Sequence, residues 1–549
     1  MEKVRDHNEP EYVEHQQPAL SRGMNFFTFL VLGVAVLGGL LFGLDIGTTA
    51  ITSMNTFRKD MGIPELVPNQ PDDPATVDQL SMFAVLFHVF SLVGAPFAGQ
   101  LSDKFGRKPI IIWASILFTA GAIWQTFAGM ISPSFGWTSI ILGRCLGGVG
   151  NGFILTIMPV YAAELSPSKY RGYAITLFQF FITVGIFLMA VINKGLVNIS
   201  WGWRLGFAVQ CFPCVVIIGL TICVLPESPK YLIKRGNIED ARRALMLLGR
   251  GTAELEKVVD FEIRSAEEEL AKLEQAGQGS FKDLFHGTVF PAFLCGFMVA
   301  FSQNVTGVNW FMNYATQLFS SLGFEPFIMD LALKGTNMGA TLAALFFVER
   351  FGRKFLTVWG TIFTIIVFLL ISVVIFSTGV DITVSNPNSR ESAVQLFSMI
   401  MIFVFQVVFA ITWGPLGWLV PAEVFPVRVR GIGMSCAVVG NMLTNIICGD
   451  YGYNALNSST NTQTTMLVLV ILNVVIVLST VVFLQPETKG VTLEDMRKVF
   501  AYEKGGNAYE NHGTLHQFFR RNARQTLDII RCRGANPYIG ITEEKVESA

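Results

Sequence analysis

The sequence has few charged residues for its length. Of its 549 residues, 15% are charged, whereas soluble globular domains carry about 25%. Hydrophobic residues make up 51% of the chain, and the mean hydropathy is +0.49. Because so few charges cannot cover a soluble chain of this size, we infer that much of the apolar surface faces lipid. The sequence therefore predicts a polytopic membrane protein in a lipid bilayer.

The signals of several other protein classes are also missing. The net charge of −1 lacks the basic excess of a nucleic-acid binder, which excludes nucleic acid as a partner. The eight cysteines lie in apolar stretches or in the C-terminal tail and form no CxxC pattern, so neither a disulfide framework nor a metal site is indicated. We find no nucleophile–base set and no phosphate-binding loop. The sequence favours neither an enzyme nor a protein with a cofactor.

Apolar runs long enough to cross a bilayer, about 20 residues each, occur twelve times. A polar segment rich in Glu, Lys, Arg and Ala separates the sixth run from the seventh, and its residues 237–276 have the pattern of amphipathic helices. The predicted spans are roughly 26–52, 80–101, 109–130, 137–165, 173–193, 205–225, 287–319, 328–348, 355–377, 393–423, 432–451 and 464–485.

Lys and Arg are distributed unequally between alternate loops. Four short loops with 28 residues in total hold 10 of them, whereas the six loops of the other side hold 6 in 87 residues. Basic loops face the cytoplasm, so both termini and the polar insert are expected there. The predicted divisions are a cytoplasmic tail (1–25), a first six-helix bundle (26–225), the intracellular helical domain (226–286), a second bundle (287–485) and a cytoplasmic tail (486–549).

The two halves repeat three motifs in the same order. Asp103-Lys-Phe-Gly-Arg107 recurs as Glu349-Arg-Phe-Gly-Arg353, and Pro226-Glu227-Ser228 recurs as Pro486-Glu487-Thr488. Between them, Glu164 and Arg171 of an ExxPxxxRG motif recur as Glu423 and Arg430, and all three copies lie 246 to 260 residues further on. A duplicated chain of this kind is typical of transporters whose two halves move around a site at the centre of the membrane.

These motifs resemble those of the major facilitator superfamily and, more narrowly, of its sugar porter family. The sugar porter motifs are Gly143-Arg144, Pro159-Val-Tyr-Ala-Ala-Glu164, Pro226-Glu-Ser-Pro229 and Pro486-Glu-Thr-Lys-Gly490. The resemblance is nearest to proton-coupled, plant-type monosaccharide transporters and runs from about residue 26 to residue 490. It implies an all-α membrane protein, with twelve transmembrane helices in two pseudo-symmetric six-helix bundles and an intracellular helical insert.

The carboxylates and arginines of the repeated motifs are expected to form a gate on the inner side. Arginine presents a planar fork that pairs with a carboxylate through two hydrogen bonds. The resemblance implies that such pairs hold the bundles together on the inside and break as the protein opens inward. Alternatively, these charges are ordinary anchors of the inner loops. The predicted gate residues are Asp103, Arg107, Glu164, Arg171, Glu349, Arg353, Glu423 and Arg430.

Asp45 and Arg144 lie inside apolar spans, the first and the fourth. Because charges inside a membrane are costly, they indicate a functional site by default, and we expect these two to pair. Proton-coupled sugar porters have Asp at this position of Gly43-Leu-Asp45-Ile-Gly47, and the resemblance implies that Asp45 carries the proton against Arg144. The alternative is a permanent structural ion pair, in which case transport would be downhill.

Side-chain amides in the apolar spans are candidates for binding a neutral sugar, because an amide both donates and accepts hydrogen bonds. An aromatic ring would cover the C–H face of the sugar. The same residues match the sugar-binding positions of the family, with Asn304 in place of the family's second Gln. For any one amide the alternative is a hydrogen bond between helices. The predicted residues are Gln179, Gln303, Asn304, Asn309, Asn337, Trp418 and Asn441.

The leading hypothesis from the sequence is a proton-coupled monosaccharide (hexose) symporter that works by alternating access. We expect its partners to be a monosaccharide, protons and the lipid bilayer, and we expect a monomer in the plasma membrane. The alternatives are a passive facilitator of a hexose or polyol and, from another class, a sugar-sensing receptor on a transporter scaffold.

The sequence also predicts helix breaks at Thr306-Gly307 and at Gly414-Pro-Leu-Gly-Trp418.

Overall fold

The computed structural model is built from α-helices with short 3₁₀ and π segments, and its described part contains no strand. The predicted N-terminal tail, 1–25, lies outside the described residues except for Asn25, as does most of the tail 486–549. The structure describes residues 25–65, 73–130, 135–167, 170–252, 254–274, 281–285, 289–309, 312, 326–379, 389–426, 429–452, 462–491, 496–500 and 515–531.

Twelve membrane helices follow the predicted order. Within the described residues, eleven helical segments are long and apolar enough to cross a membrane, and α7 is shorter. The helices are α1 (Phe26–Thr48), α2 (Pro74–Phe105), α3 (Arg107–Thr126), α4 (Gly136–Leu165), α5 (Arg171–Leu196), α6 (Gly202–Ala208 and Cys211–Cys223), α7 (Val289–Val305), α8 (Pro326–Phe351), α9 (Arg353–Thr378), α10 (Ser389–Ile411 and Trp413–Val424), α11 (Arg430–Thr444, continued by a π-helix at Asn445–Gly452) and α12 (Thr462–Leu472, continued by the π-helices Asn473–Leu478 and Thr480–Leu484).

The helix breaks that the sequence predicts are present in α7 and α10, but the break in α10 is displaced. Helix α7 ends before Thr306, and Gly307 takes the positive φ of 92°, which glycine adopts readily; the predicted continuation over 310–319 lies outside the described residues except for Met312. The break in α10 is at Thr412, with φ −110° and ψ −84°, and not at the predicted Gly414–Trp418. Pro415 is tolerated inside the second segment because the N–H groups of a helix's first turn have no acceptor within it.

The polar insert folds as three helices, Pro229–Lys234, Ile238–Leu248 and Leu255–Glu274, and a 3₁₀ turn. Asn237 caps the second helix by accepting a hydrogen bond from the backbone N–H of Asp240. As the amphipathic pattern predicts, Ala241, Leu245 and Leu248 are buried. The insert is tied to the membrane region because the Asn25 side chain, which also caps α1, donates to the carbonyl of Leu248 at 3.0 Å.

A helix in the C-terminal segment, Leu515–Ile530, packs against the end of α12 and against α9. Its residue Phe519 contacts Phe483 of α12 with ring centroids 6.4 Å apart. The Asn522 amide donates to the Phe483 carbonyl at 2.9 Å. Its backbone carbonyl accepts a hydrogen bond of 2.6 Å from the Lys354 ammonium, which is fully buried at the start of α9. This helix therefore docks on the membrane helices of the second half.

The two halves meet mainly along two helix pairs, α2 with α11 and α5 with α8, and α10 and α11 also contact α4 and α5. Both pairs include the ends where the repeated charged motifs lie. Asp103 and Glu349 lie in the last turns of α2 and α8, and Arg430 and Arg171 begin α11 and α5. A cavity lies between the halves. It reaches Thr49, just after the C-terminal end of α1, and Lys334, in the N-terminal part of α8. The halves are therefore in contact at the side of the charged motifs, and the cavity extends towards the other side.

Candidate functional site

One cavity is lined by all the residues that the sequence predicts for sugar binding and for proton coupling. It lies between the halves, with Asp45, Arg144 and Gln179 on the wall of the first half. The second half contributes most of the amides. The predicted residues on its wall are Gln303, Asn304, Asn309, Asn337, Trp418 and Asn441. Asp45 and Asn441, almost 400 positions apart in the sequence, are thus brought to one site.

Four of the second-half amides form a hydrogen-bonded network with Asn445. The Asn441 amide donates to Gln303 Oε1 at 2.7 Å, and Gln303 Nε2 donates to the Gly414 carbonyl at 2.7 Å. Asn309 Nδ2 donates to Asn304 Oδ1 at 3.2 Å and also to Asn445 Oδ1. These hydrogen bonds fix the orientation of each amide, because an amide whose oxygen already accepts presents its remaining hydrogen-bonding groups in a defined direction.

Two cavity amides have unused hydrogen-bonding groups. Gln179 is 7% exposed, and its side chain makes no hydrogen bond with any described residue. Asn337 Oδ1 is buried and has no partner within the described part of the chain. A buried amide without a partner costs free energy of about 1–3 kcal/mol. Both residues line the cavity, so their amides can contribute hydrogen bonds to a polar ligand there.

Trp418 supplies an apolar wall of the cavity. It is 3% exposed and lies in the second segment of α10, after the break at Thr412. Its ring contacts Phe178 and Phe42 edge-on, with centroid distances of 5.8 and 6.4 Å. Phe42 and Phe178 belong to the first half, so this cluster joins the halves through aromatic contacts. Such a ring can cover the C–H face of a sugar while the amides bind its hydroxyls.

The predicted pair of Asp45 and Arg144 is present and buried. Arg144 Nη1 donates to Asp45 Oδ1 at 2.6 Å, and the two side chains are 1% and 2% exposed. Arg144 is held further by a hydrogen bond of 3.0 Å to the Phe83 carbonyl and by stacking on the rings of Phe83 and Phe87, each 4.3 Å from its guanidinium. The arginine is therefore fixed, whereas the carboxylate is bound at one oxygen by this pair and also faces the cavity.

On the side of the insert, each half contains one buried arginine–carboxylate pair. In the first half, Arg107 binds Glu164 through two hydrogen bonds of 3.0 Å. Ser228 donates to Glu164 at 2.6 Å. Glu227 accepts from the backbone N–H of Arg107 at 2.9 Å, at the start of α3, where a negative charge is stabilised by the helix dipole. Burial raises the pKa of the Glu227 carboxyl above its usual value, with backbone N–H groups acting in the opposite direction.

The second half repeats this cluster with the equivalent residues. Arg353 binds Glu423 through hydrogen bonds of 2.9 and 3.2 Å. Thr488 donates to Glu423 at 2.7 Å, as Ser228 does to Glu164. Glu487 accepts from the Arg353 backbone N–H at 2.9 Å, at the start of α9. The duplicated sequence motifs therefore fold into duplicated ion-pair clusters.

The preceding turns also require glycine in both halves. Gly106 and Gly352 have φ angles of 100° and 90°, which side chains rarely adopt. A Cβ atom at Gly106 would lie 2.5 Å from Glu227, and one at Gly352 would lie 2.6 Å from Glu487. Each glycine thus allows the turn and the close approach of the capping carboxylate.

The contact between the halves differs from the expected one. The two bidentate pairs lie within each half, and they do not join the bundles directly. Across the halves, the carboxylate of Asp103 packs against Gly431, and that of Glu349 packs against Gly172. Arg430 of the second half acts electrostatically on Asp103 and Glu164 of the first. The helix ends approach so closely because Gly172 and Gly431 carry no side chain.

Several residues of these sites were missed by the sequence reasoning. Glu227 and Glu487 were noticed only as repeated motifs, although their repetition beside Ser228 and Thr488 could have indicated a shared role. Asn445 accepts a hydrogen bond from Asn309 and also lines the cavity. His88 and Lys334 line the cavity as well.

Comparison with known proteins agrees with this architecture. The family model described as "Sugar (and other) transporter" matches residues 31–500. The chain belongs to this family. It is 32% identical to Sugar transport protein 1 of Arabidopsis thaliana, over 86% of this chain and 90% of that protein. It is also 32% identical to H(+)/hexose cotransporter 2 of Parachlorella kessleri, over 87% of each chain.

The fold is that of the major facilitator superfamily. The structure of the proton:xylose symporter XylE bound to 6-bromo-6-deoxy-D-glucose matches 86% of this chain and 99% of its own, with a TM-score of 0.74 and 23% identity. The predicted all-α architecture of two six-helix bundles and an intracellular insert is confirmed at this level. This member of the sugar transporter family thus has the predicted fold and a cavity that is lined by the predicted residues.

Proposed function

We propose that this chain is a proton-coupled monosaccharide (hexose) symporter that works by alternating access. The observation that carries the proposal is the position of Asp45. Its buried carboxylate pairs with Arg144 and opens on the same cavity as the amides. A proton acceptor and a polyol site in one cavity allow binding of one ligand to influence the other. The relatives named as hexose cotransporters support the same function.

In the proposed cycle, the sugar enters the cavity from the side away from the charged clusters. Gln179 and Asn337 bind hydroxyls through their unused hydrogen-bonding groups, and Gln303, Asn304, Asn309 and Asn441 add groups oriented by their network. Trp418 covers the apolar face of the sugar. Binding thus satisfies amides that otherwise stay unpaired, which favours a conformation closed around the sugar.

The proton binds Asp45 in the outward-open form. Protonation removes the negative charge that Arg144 attracts, so the ion pair weakens and α1 and α4 can separate. When the cavity opens inward, Arg144 binds the carboxylate again and favours release of the proton. The inner gate consists of Asp103, Arg107, Glu164, Arg171, Glu349, Arg353, Glu423 and Arg430. We propose that its contacts at Gly172 and Gly431 separate at that step.

The bias of Lys and Arg towards one set of loops supports cytoplasmic termini. A monomer in the plasma membrane is part of the same proposal. Labelling of cysteines introduced in the insert, in intact and in permeabilised cells, tests the orientation: we expect labelling only after permeabilisation.

Uptake into proteoliposomes tests the function. With an inward proton gradient, the wild-type protein is expected to accumulate a hexose above the external concentration, and a protonophore should abolish this accumulation. Uptake that reaches only equilibrium and ignores the gradient would instead indicate a passive facilitator in which Asp45–Arg144 is a permanent structural pair. Sugar binding without any uptake would indicate a receptor.

A further inference from the structure

A second charge pair lies in an apolar helix beside the cavity. Lys334 Nζ donates to Asp330 Oδ2 at 2.6 Å, one turn away on α8. The two side chains are 11% and 14% exposed, and both lie in the span Ile328–Phe351. Charged residues in a membrane-spanning segment are costly and indicate function by default. This pair is separate from Asp45–Arg144 and from the charged clusters beside the insert.

Only the lysine of this pair faces the cavity. Lys334 lines the cavity, whereas Asp330 is not among its lining residues. An ammonium has three N–H donors, and the hydrogen bond to Asp330 uses one of them. Asp330 therefore neutralises and positions the lysine from behind, and donors remain for a ligand.

Asn337 complements Lys334 on the same wall. It follows Lys334 by three residues, a spacing that places two side chains on one helix face with about 5–6 Å between their Cβ atoms. Asn337 is 4% exposed and lines the cavity, and its Oδ1 acceptor has no partner within the described residues. A donor-only group and an amide, which can both donate and accept, thus lie on the same wall of the cavity.

We propose that Lys334 is a specificity-determining residue that contacts the sugar. Lys334 donates to one hydroxyl oxygen, and the Asn337 amide binds the neighbouring hydroxyl, so the pair recognises two adjacent hydroxyls. Because Asp330 balances the lysine charge, this wall carries no net charge, which favours neutral sugars over sugar acids. The inference rests on the proposed function, since it requires a sugar in the cavity.

The first test compares uptake by the wild type and by Lys334→Met in proteoliposomes. The methionine side chain has a similar length to lysine but no hydrogen-bond donors. The substrates are a hexose and its series of monodeoxy analogues. We expect Lys334→Met to raise the KM of the hexose about tenfold, as expected for one lost hydrogen bond from a charged donor, with kcat little changed. For the one analogue that lacks the contacted hydroxyl, the two proteins should have equal KM values. Lys334→Arg, which keeps the charge and the donors, should restore most of the affinity.

The second test uses Asp330→Asn, which keeps Lys334 and removes the balancing charge. We expect inhibition of hexose uptake by the corresponding hexuronate to increase about tenfold. The double variant Asp330→Asn with Lys334→Met should lose this gain. Because this test retains the lysine, it applies even where Lys334→Met fails to fold.

The outcomes separate the two proposals. Wild-type protein that transports none of the sugars would overturn the proposed function and this inference with it. If the wild-type protein transports the hexose, two results would overturn the role of Lys334 alone. One is a wild-type KM in Lys334→Met for every sugar. The other is an equal rise in the KM of Lys334→Met for every deoxy analogue. Unchanged hexuronate inhibition in Asp330→Asn would overturn the role of charge balance.

Discussion

At the residue scale, the cavity contains two kinds of amide. Gln303, Asn309 and Asn441 are held by hydrogen bonds to other protein groups, and these bonds set their orientation. Gln179 makes no hydrogen bond with a described residue. Its contribution to ligand binding is therefore the easiest to isolate, because removing it leaves no protein partner unpaired.

We predict that Gln179→Ala raises the KM for the transported sugar about tenfold, because one hydrogen bond to a hydroxyl is lost. Uptake kinetics in proteoliposomes measure this effect. Asn473→Ala is the matched control: Asn473 is a buried amide on α12 that donates to the Leu469 carbonyl of its own helix and does not line the cavity. An equal change in KM for both variants would contradict a sugar contact at Gln179.

At the scale of the elements, the duplicated clusters bind helix ends to one another. Arg107 and Glu164 join α3 to α4, and Arg353 and Glu423 join α9 to α10. All four residues are at most 5% exposed. Removing one member of a buried pair leaves the other charge uncompensated, which is strongly destabilising.

We predict that Glu164→Gln destabilises the protein by about 3 kcal/mol, because buried Arg107 loses its bidentate carboxylate and keeps only Asp103, at 3.4 Å. Thermal unfolding in detergent should show a clearly lower Tm. Arg243→Gln is the control, because this arginine pairs on the surface of the insert and is 73% exposed, and surface pairs contribute about 0–1 kcal/mol. Equal Tm values for Glu164→Gln and wild type would show that the cluster does not stabilise the fold.

The helix Leu515–Ile530 is the second element with a measurable role. Deleting residues 515–549 removes the Asn522 carbonyl, the acceptor for the buried Lys354 ammonium. We expect a lower Tm for this truncation, since a buried N–H donor that loses its acceptor is unfavourable. A chain ending at residue 531 keeps the helix and should match wild type. If the two truncated proteins unfold at the same temperature, the docked helix does not contribute to stability.

The sequence predicted the elements better than their details. Span lengths located the membrane helices, and the 3.6-residue pattern located the insert helices. The break at Thr412 and the π-helix that begins at Asn445 could not be predicted, because packing between helices decides them. The predicted span 328–348 contains Asp330 and Lys334, but the pairing of their side chains could not be predicted from that span. The cavity amides were predicted because a polar side chain in an apolar span is costly unless it has a hydrogen-bonding partner.

At the scale of the whole molecule, the described state has its halves in contact on the side of the charged clusters. That contact depends on close approach at two equivalent glycines. A Cβ atom at Gly172 would lie 1.7 Å from Glu349 Oε1, and one at Gly431 would lie 3.0 Å from Asp103. Alternating access requires this contact to form and to separate in each cycle.

We predict that Gly172→Ala lowers kcat for sugar uptake, because the added methyl group collides with Glu349 and opposes closure of this side. Gly339→Ala is the control, since nothing lies within 4 Å of a Cβ atom at this glycine of α8. Uptake rates of the two variants at equal expression check the prediction. A kcat equal to that of wild type in Gly172→Ala would show that closure of this side does not require the close contact between Glu349 and residue 172.

The most direct test of the proposed mechanism is sugar-evoked proton movement, recorded as alkalinisation outside proteoliposomes when a hexose is added. The account predicts a proton signal for wild type, the same signal for Glu239→Gln, whose carboxylate is 88% exposed on the insert, and none for Asp45→Asn. The Asp45→Asn protein should also lose accumulation, reaching a ratio of inside to outside sugar of about 1. An Asp45→Asn protein that still moves protons with the sugar and concentrates it would contradict the assignment of Asp45 as the proton carrier.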